Sequence, residues 1–123
     1  MRFPDLVPRA SVTLTRRGVP VIGEREARLL EAVERVRSIK DAAAETGISY
    51  RTAWSAIQRM EKALGRPIVA SRAGGPGGGA TLLTDECRRL LAVYQEVRRR
   101  LEEDLVRAWE AGAAEPPEGT ARS

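Results

Sequence analysis

Hydrophobic positions change their spacing several times along the chain, and each change predicts a new structural element. Residues 11–15 (SVTLT) and 19–22 (VPVI) are rich in β-branched side chains, which favours two short strands. An Arg-Arg-Gly triplet separates them, so we expect a hairpin with Gly18 at a turn position of positive φ. Pro20 cannot donate a ladder hydrogen bond, which places the second strand at a sheet edge.

Helical spacing begins at residue 24. Apolar side chains three and four residues apart predict a helix over residues 24–36. Ser38 is a favourable N-cap for a short Ala-rich helix over residues 39–46, which Gly47 should end in the left-handed conformation. Ser49 can then cap a third helix that extends to about residue 64. The spacing within this third helix predicts the buried face Ala53, Ile57, Met60 and Leu64.

The second half of the chain predicts another hairpin and a long helix. Strands are expected at residues 68–72 and 80–83, around the Gly-rich loop at 74–79 (GGPGGG). Thr84 can cap a final helix over residues 85–111, with two acidic residues well placed for the helix dipole. The Pro-containing segment 112–123 is expected to be a disordered tail.

These elements predict a mainly α fold with small β hairpins. Two helices joined at a tight glycine turn and followed by a hairpin form a winged helix-turn-helix, here with a long C-terminal dimerisation helix. The expected organisation is an N-terminal arm at 1–10, the winged helix-turn-helix at 11–84, the long helix at 85–111 and the tail at 112–123.

Composition excludes several kinds of function. The chain has 123 residues, no histidine and a single cysteine, so disulfides, Cys/His zinc sites and imidazole-based catalysis are excluded. No convergent set of Asp, Glu, Lys, Ser or Tyr indicates an enzyme, and no metal or cofactor is expected. Cys87 lies among apolar residues and is interpreted as a small buried hydrophobe. Without an apolar span or signal core, the expected location is the cytoplasm, without membrane attachment.

Positive charge is concentrated in two regions. The net charge is +4 overall. Residues 49–72 hold five basic side chains and one acidic one, and residues 1–23 hold four and one, whereas residues 85–110 hold six and seven. A single sign of charge concentrated on one element indicates a polyanionic partner, and we expect double-stranded DNA.

The third helix should be the recognition helix that enters the major groove. Its candidate DNA contacts are Ser49, Tyr50, Arg51, Thr52, Ser55, Gln58 and Arg59. Arginine suits bidentate contacts to guanine or phosphate, and glutamine can pair with an adenine edge. Trp54 is interpreted as partly buried against the wing rather than bonded to phosphate.

The Gly-rich loop has two interpretations. A nucleotide-binding loop is disfavoured because no Lys-Ser/Thr follows the glycines. At the tip of a wing, glycines let backbone N–H groups approach phosphates or enter the minor groove, although a merely flexible turn is the alternative. The candidate wing contacts are Arg72, Gly74, Gly75, Gly77 and Gly78.

The last helix carries an apolar stripe that is longer than one small domain needs for its own core. Its members are Cys87, Leu90, Tyr94, Val97, Leu101, Leu105 and Ala108. A second copy of the chain is the simplest partner for the surplus, since two-fold dimers match palindromic operators. The predicted homodimer interface is Leu30, Val33, Leu90, Tyr94, Val97, Leu101, Leu105 and Trp109.

The sequence resembles the N-terminal DNA-binding domain of ModE-type molybdate-responsive transcription regulators. The likeness covers about residues 11–108 and is most specific in the segment ISYRTAW at 48–54 and in the Gly-rich wing at 73–79. A more distant resemblance is to the N-terminal winged helix of LysR-type regulators. The resemblance implies DNA binding and a two-fold dimer built on the first and last helices.

Two departures from the ModE pattern change the expectation. ModE-type regulators continue into domains that bind molybdate or tungstate, and this sequence ends before such a domain, so no molybdate binding is expected on this chain alone. Pro76 stands where the family wing usually has a lysine, which removes one expected phosphate contact. A winged-helix protein-interaction module without direct DNA readout is the alternative function, and the salt dependence of binding would distinguish the two.

Overall fold

The computed structural model describes residues 4–74 and 79–113, which contain four helices and four strands. The strands are β1 (Leu14–Arg16), β2 (Val19–Ile22), β3 (Val69–Arg72) and β4 (Ala80–Leu83). The helices are α1 (Glu24–Val36), α2 (Ile39–Thr46), α3 (Tyr50–Leu64) and α4 (Asp85–Ala113). Strands β1 and β2 form one antiparallel sheet, and β3 and β4 form another. The predicted fold class, a winged helix-turn-helix with a long last helix, is confirmed.

The first hairpin turns within two residues. Arg16 pairs with Val19, and the turn residues Arg17 and Gly18 have φ values of 52° and 81°. Two successive positive φ angles match the right-handed twist of the strands, and the prediction for Gly18 is confirmed. Strand β1 begins at Leu14 rather than at residue 11, and its pairing register with β2 shifts between Leu14 and Thr15.

Local caps fix the helix-turn-helix. The Ser38 hydroxyl accepts a hydrogen bond from the Asp41 amide at 3.1 Å, which satisfies one of the free donors of α2. Gly47 ends α2 with φ 76°, in the left-handed region where glycine is least strained. The Ser49 hydroxyl then accepts from the Thr52 amide at 3.0 Å and starts α3. Both predicted N-caps and the predicted turn glycine are confirmed.

The core lies between α1, α2, α3 and the first turns of α4. Its largest fully buried side chains are Leu29, Leu30, Val33, Ile57, Met60 and Tyr94. Helix α3 buries Ala53, Ile57 and Met60 as predicted, and also Ala56, while Leu64 is half-buried.

Only the first part of α4 packs on the domain. The residues it buries are Cys87, Leu91 and Tyr94. The Tyr94 hydroxyl donates to the Val12 carbonyl at 2.8 Å, and the Gln95 amide donates to the Glu31 carboxylate at 2.6 Å. These bonds join the helix to the segment just before β1 and to α1. The helix continues to Ala113, so Gly112 belongs to the helix and not to the tail; residues 114–123 lie outside the described residues.

Candidate nucleic-acid interface

The outward side of α3 carries polar and basic side chains opposite its buried face. All seven recognition-helix candidates are exposed, including Arg51, Gln58 and Arg59. At 100° per residue, Arg51, Ser55 and Gln58 form one stripe along the helix. Lys62 continues this stripe one turn further and is also exposed, although the sequence analysis did not select it. Its position four residues after Gln58 is the sequence feature from which it could have been predicted.

The start of α3 is held by its own hydroxyl groups. The Ser49 hydroxyl accepts from the Thr52 amide and donates to the Thr52 hydroxyl at 2.8 Å. No acidic residue lies in the first turn, so the positive end of the helix dipole is not neutralised there. This end of the helix can therefore attract phosphate or the acceptor atoms of bases.

Two aromatic residues connect α3 to the second hairpin. Tyr50 is 54% exposed, and its ring lies edge-on to that of Trp54, with ring centroids 6.3 Å apart. Trp54 is half-buried against the core and lines a cleft with Ser71, Thr81 and other residues of β3 and β4. The predicted partial burial of Trp54 is confirmed.

The wing is formed by β3, β4 and the loop between them, and it requires a glycine at position 79. A Cβ atom added at Gly79 would lie 2.6 Å from the Arg72 carbonyl oxygen, so only glycine fits this crossing of the two backbone segments. Arg72 pairs with Ala80 at the end of the sheet. Arg72 and Gly74 are exposed as a wing contact requires; Gly75, Gly77 and Gly78 lie outside the described residues.

A basic cleft separates the wing from the helix-turn-helix. This wing cleft, of about 260 Å³, is lined by the cationic residues Arg37, Lys40 and Arg72 and also by Ser38, Tyr50 and Trp54. The Arg37 carbonyl accepts from the Thr81 amide at 3.0 Å, which fixes the wing to the turn before α2. Arg37 adopts a left-handed conformation, φ 56°, that is unusual for a non-glycine residue.

Sequence reasoning missed Arg37 and Lys40 as members of this surface. Neither lies on the recognition helix, and only the fold brings them near Arg72. The cleft therefore places positive charge on the side of α3 that faces the wing, in addition to the stripe on its outer side.

Comparison with known families places this arrangement among bacterial regulators. The sequence model of the bacterial regulatory helix-turn-helix proteins of the lysR family matches residues 25–88. The chain belongs to this family. The match extends from α1 through β4 into the start of α4, so it contains the helix-turn-helix and the wing of the lysR family and leaves out the β1–β2 hairpin.

Within the lysR family, the N-terminal region is a ModE-type DNA-binding domain. It is 42% identical over 83 residues to the molybdenum-pterin-binding protein MopB of Rhodobacter capsulatus, covering 68% of this chain and 30% of MopB. It is 48% identical over 68 residues to the molybdenum transport protein ModE of Azotobacter vinelandii, covering 55% and 25%. The transcriptional regulator ModE of Haemophilus influenzae is 36% identical over 81 residues, covering 66% and 32%. The chain thus spans about a third or less of the length of these relatives.

The residues predicted for the homodimer interface separate into two groups. Leu30, Val33 and Tyr94 are at most 1% exposed, and Leu90 is half-buried against the same core. This corrects the prediction for Leu30, Val33 and Tyr94, because side chains enclosed by their own domain have no surface for a second copy. The other four are Val97, Leu101, Leu105 and Trp109, which lie further along α4, where Val97 and Leu101 are 39% and 45% exposed.

Cys87 lies within the core of the lysR-family domain. Its side chain is 2% exposed, and burial, together with the nearby Glu34 carboxylate, raises the thiol pKa from 9.0 to about 11. The interpretation of Cys87 as a buried hydrophobe is confirmed. Within the described residues, none of the helices is long and apolar enough to cross a membrane.

Proposed function

We propose that this chain is a sequence-specific DNA-binding transcription regulator, and not an enzyme, that acts as a homodimer on a palindromic operator. The observation that carries the proposal is the exposed basic and polar stripe of α3 beside a wing and a basic cleft. This is the surface that a helix-turn-helix presents to the major groove. Membership of the lysR family and the ModE-type domain support the same function.

Each part of the surface has a different role in this proposal. Arg51, in the first turn of α3, reads a guanine edge by two hydrogen bonds, and Gln58 reads an adenine edge. Ser49, Tyr50, Thr52, Ser55 and Arg59 complete the contacts of the helix. Arg72 and the wing glycines Gly74, Gly75, Gly77 and Gly78 contact the phosphates or the minor groove, which positions the helix without reading sequence.

The wing cleft extends the phosphate contacts. Arg37 and Lys40, around the start of α2, and Arg72 of the wing line the same cleft, so a DNA strand there would meet cations from both elements. Such contacts add affinity for any sequence, and each adds about −0.9 to the slope of log affinity against log salt concentration.

The outer half of α4 supplies the homodimer contact. Leaving Leu101 and its apolar neighbours in water forgoes about 1.5–3 kcal/mol for each fully buried side chain. A two-fold dimer would bury them and place two recognition helices in successive major grooves, about 34 Å apart.

Molybdate sensing is not proposed for this chain. The names of MopB and of the Azotobacter ModE refer to molybdenum-pterin binding and molybdenum transport, but the chain aligns with only 30% and 25% of those proteins. We expect calorimetric titration of the 123-residue chain with molybdate to give no saturable heat.

Selection from a pool of random duplexes tests the proposed function. We expect enrichment of inverted repeats, whose affinity falls steeply as salt is raised. Enrichment of single, unrepeated sites would contradict the homodimer, and failure to enrich any sequence would contradict specific readout. A winged helix that instead docks on another protein through apolar contacts would show little salt dependence.

A further inference from the structure

A cavity away from the wing lies between the β1–β2 hairpin and the second half of α3. This hairpin pocket has a volume of about 840 Å³, within the range of small-molecule sites. Its apolar lining is Val19, Pro20, Val21, Ala56, Met60 and Ala63. Arg51 and Gln58 do not line it, although Lys62, at the end of their stripe, does.

Four cations surround this apolar lining. They are Arg16, Arg17, Arg59 and Lys62. Among the described residues, Arg17, Arg59 and Lys62 have no acidic partner within 4.0 Å, so their charges are available to a ligand. The Arg16 guanidinium donates to the Ala63 carbonyl at 2.8 Å, which joins the hairpin to the end of α3.

The lining holds one carboxylate, that of Glu26, against four cations. The Glu26 carboxylate accepts a hydrogen bond from the Gly23 amide at 2.7 Å and is part of the cap of α1. The pocket therefore combines an apolar floor with an excess of positive charge. Phosphate groups of DNA would use the cations but leave the floor without a partner.

We propose that the hairpin pocket binds a small organic anion with an apolar body, such as an aromatic carboxylate. The body would lie on Val19, Pro20 and Ala63, which are not buried in the core, and the carboxylate would lie between Arg17 and Lys62. Because this ligand would occupy Arg59 and Lys62 on the recognition helix, its binding and DNA binding would weaken each other by the same factor. That last consequence rests on the proposed function, whereas ligand binding itself does not.

Three small molecules, tested without DNA, distinguish recognition of the ligand's charge from recognition of its apolar body. Naphthoate carries both the charge and the apolar body, naphthylmethanol carries only the body, and acetate carries only the charge. We expect naphthoate alone to bind saturably, with shifts of the methyl resonances of Met60, Ala56 and Ala63 in NMR spectra of methyl-labelled protein. Equal binding of naphthylmethanol or acetate would overturn the proposal, as would naphthoate shifts confined to the apolar residues of α4.

Variants test the location. Lys62→Ala and Arg17→Ala should each weaken naphthoate binding about two- to fivefold, the size expected for loss of one exposed charge contact. Ala63→Leu should narrow the pocket and abolish binding, while Ala44→Leu, at an exposed alanine of α2 outside the pocket, should bind naphthoate normally. If Lys62→Ala and Arg17→Ala both bound naphthoate as tightly as wild type, the proposed site would be wrong. That conclusion would stand even if Ala63→Leu failed to fold.

Discussion

Arg51 is the residue whose position most directly connects the sequence to a reading of DNA. It is exposed in the first turn of α3, and the cap formed by Ser49 fixes the direction of that turn. A guanidinium group held there can present two parallel donors to a guanine, whereas a cation on a flexible segment would find mainly phosphates.

Replacing Arg51 by alanine should therefore weaken binding to the selected operator by about 1–3 kcal/mol and relax base preference at one position per half-site. Titrations of operator and random duplexes at equal salt concentration measure both effects. Arg107→Ala, which removes the same charge near the far end of α4, serves as the control and should bind normally. Equal losses on operator and random DNA would make Arg51 a phosphate contact.

Cys87 gives a second prediction at this scale, through its raised pKa. The folded protein keeps the thiol protonated up to about pH 11, whereas the unfolded chain releases the proton near 9.0. The stabilisation is thus complete below pH 9.0 and is lost as pH rises through this window, at no more than about 1.4 kcal/mol per pH unit. The free energy of unfolding should fall more steeply with pH in the wild type than in Cys87→Ala. Tyr94 is present in both proteins and contributes equally to both slopes. Equal slopes in wild type and Cys87→Ala would therefore contradict a contribution from Cys87.

At the scale of elements, local chemistry made most of the fold predictable. The bounds of α1 and α2 and the caps at Ser38 and Ser49 follow from short-range patterns that the structure reproduces. The face of α4 was harder to predict. Periodicity shows that a helix side is apolar but cannot show whether the same domain or another one covers it. Tyr94, for example, is buried in the core and donates a hydrogen bond to Val12, 82 residues away.

The same limit applies to the candidate site. The outer stripe of α3 lies on one helix, so its members could be predicted from their spacing, although Lys62 was missed. The wing cleft could not, because Arg37, Lys40 and Arg72 come from separate elements that only the packed structure brings together.

Replacing glycine by alanine should have opposite effects on stability at Gly47 and at Gly112. Gly47→Ala should lower the free energy of unfolding by about 1–2 kcal/mol, because a Cβ is strained at φ 76° even in the open space around it. Gly112→Ala, in α4 with open space and no positive φ, should be neutral or stabilise by up to about 1 kcal/mol. Chemical denaturation measures both. A Gly47→Ala protein as stable as wild type would show that the turn between α2 and α3 adapts.

On the scale of the whole molecule, α4 is much longer than the part of it that packs on the domain. Its 29 residues extend for about 43 Å, but the residues that it buries all lie in its first three turns. The remaining turns hold apolar residues on more than one side, including Leu101 at 45% and Val106 at 43% exposure. Which side meets a second copy is therefore a question that two matched variants can answer.

Leu101→Glu should place a charge in the proposed dimer contact and give folded monomers. Val106 lies about 140° around the helix from Leu101, so Val106→Glu should remain dimeric. Sedimentation at micromolar concentration measures the association, and circular dichroism checks the fold. The Leu101→Glu monomers should bind a half-site weakly, without the affinity gained by linking two recognition helices. A wild-type protein that sediments as a monomer would contradict the dimer.

The hydrogen bond between the Thr81 amide and the Arg37 carbonyl has a consequence for the timing of wing motion. While that bond is intact, the wing and the turn before α2 move as one body, and the Thr81 proton cannot exchange with solvent. Each exchange event therefore marks a moment when the wing has separated from the helix-turn-helix. The exchange rate of this single amide reports the fraction of time for which the wing is open, and a DNA strand bridging the cleft would reduce that fraction.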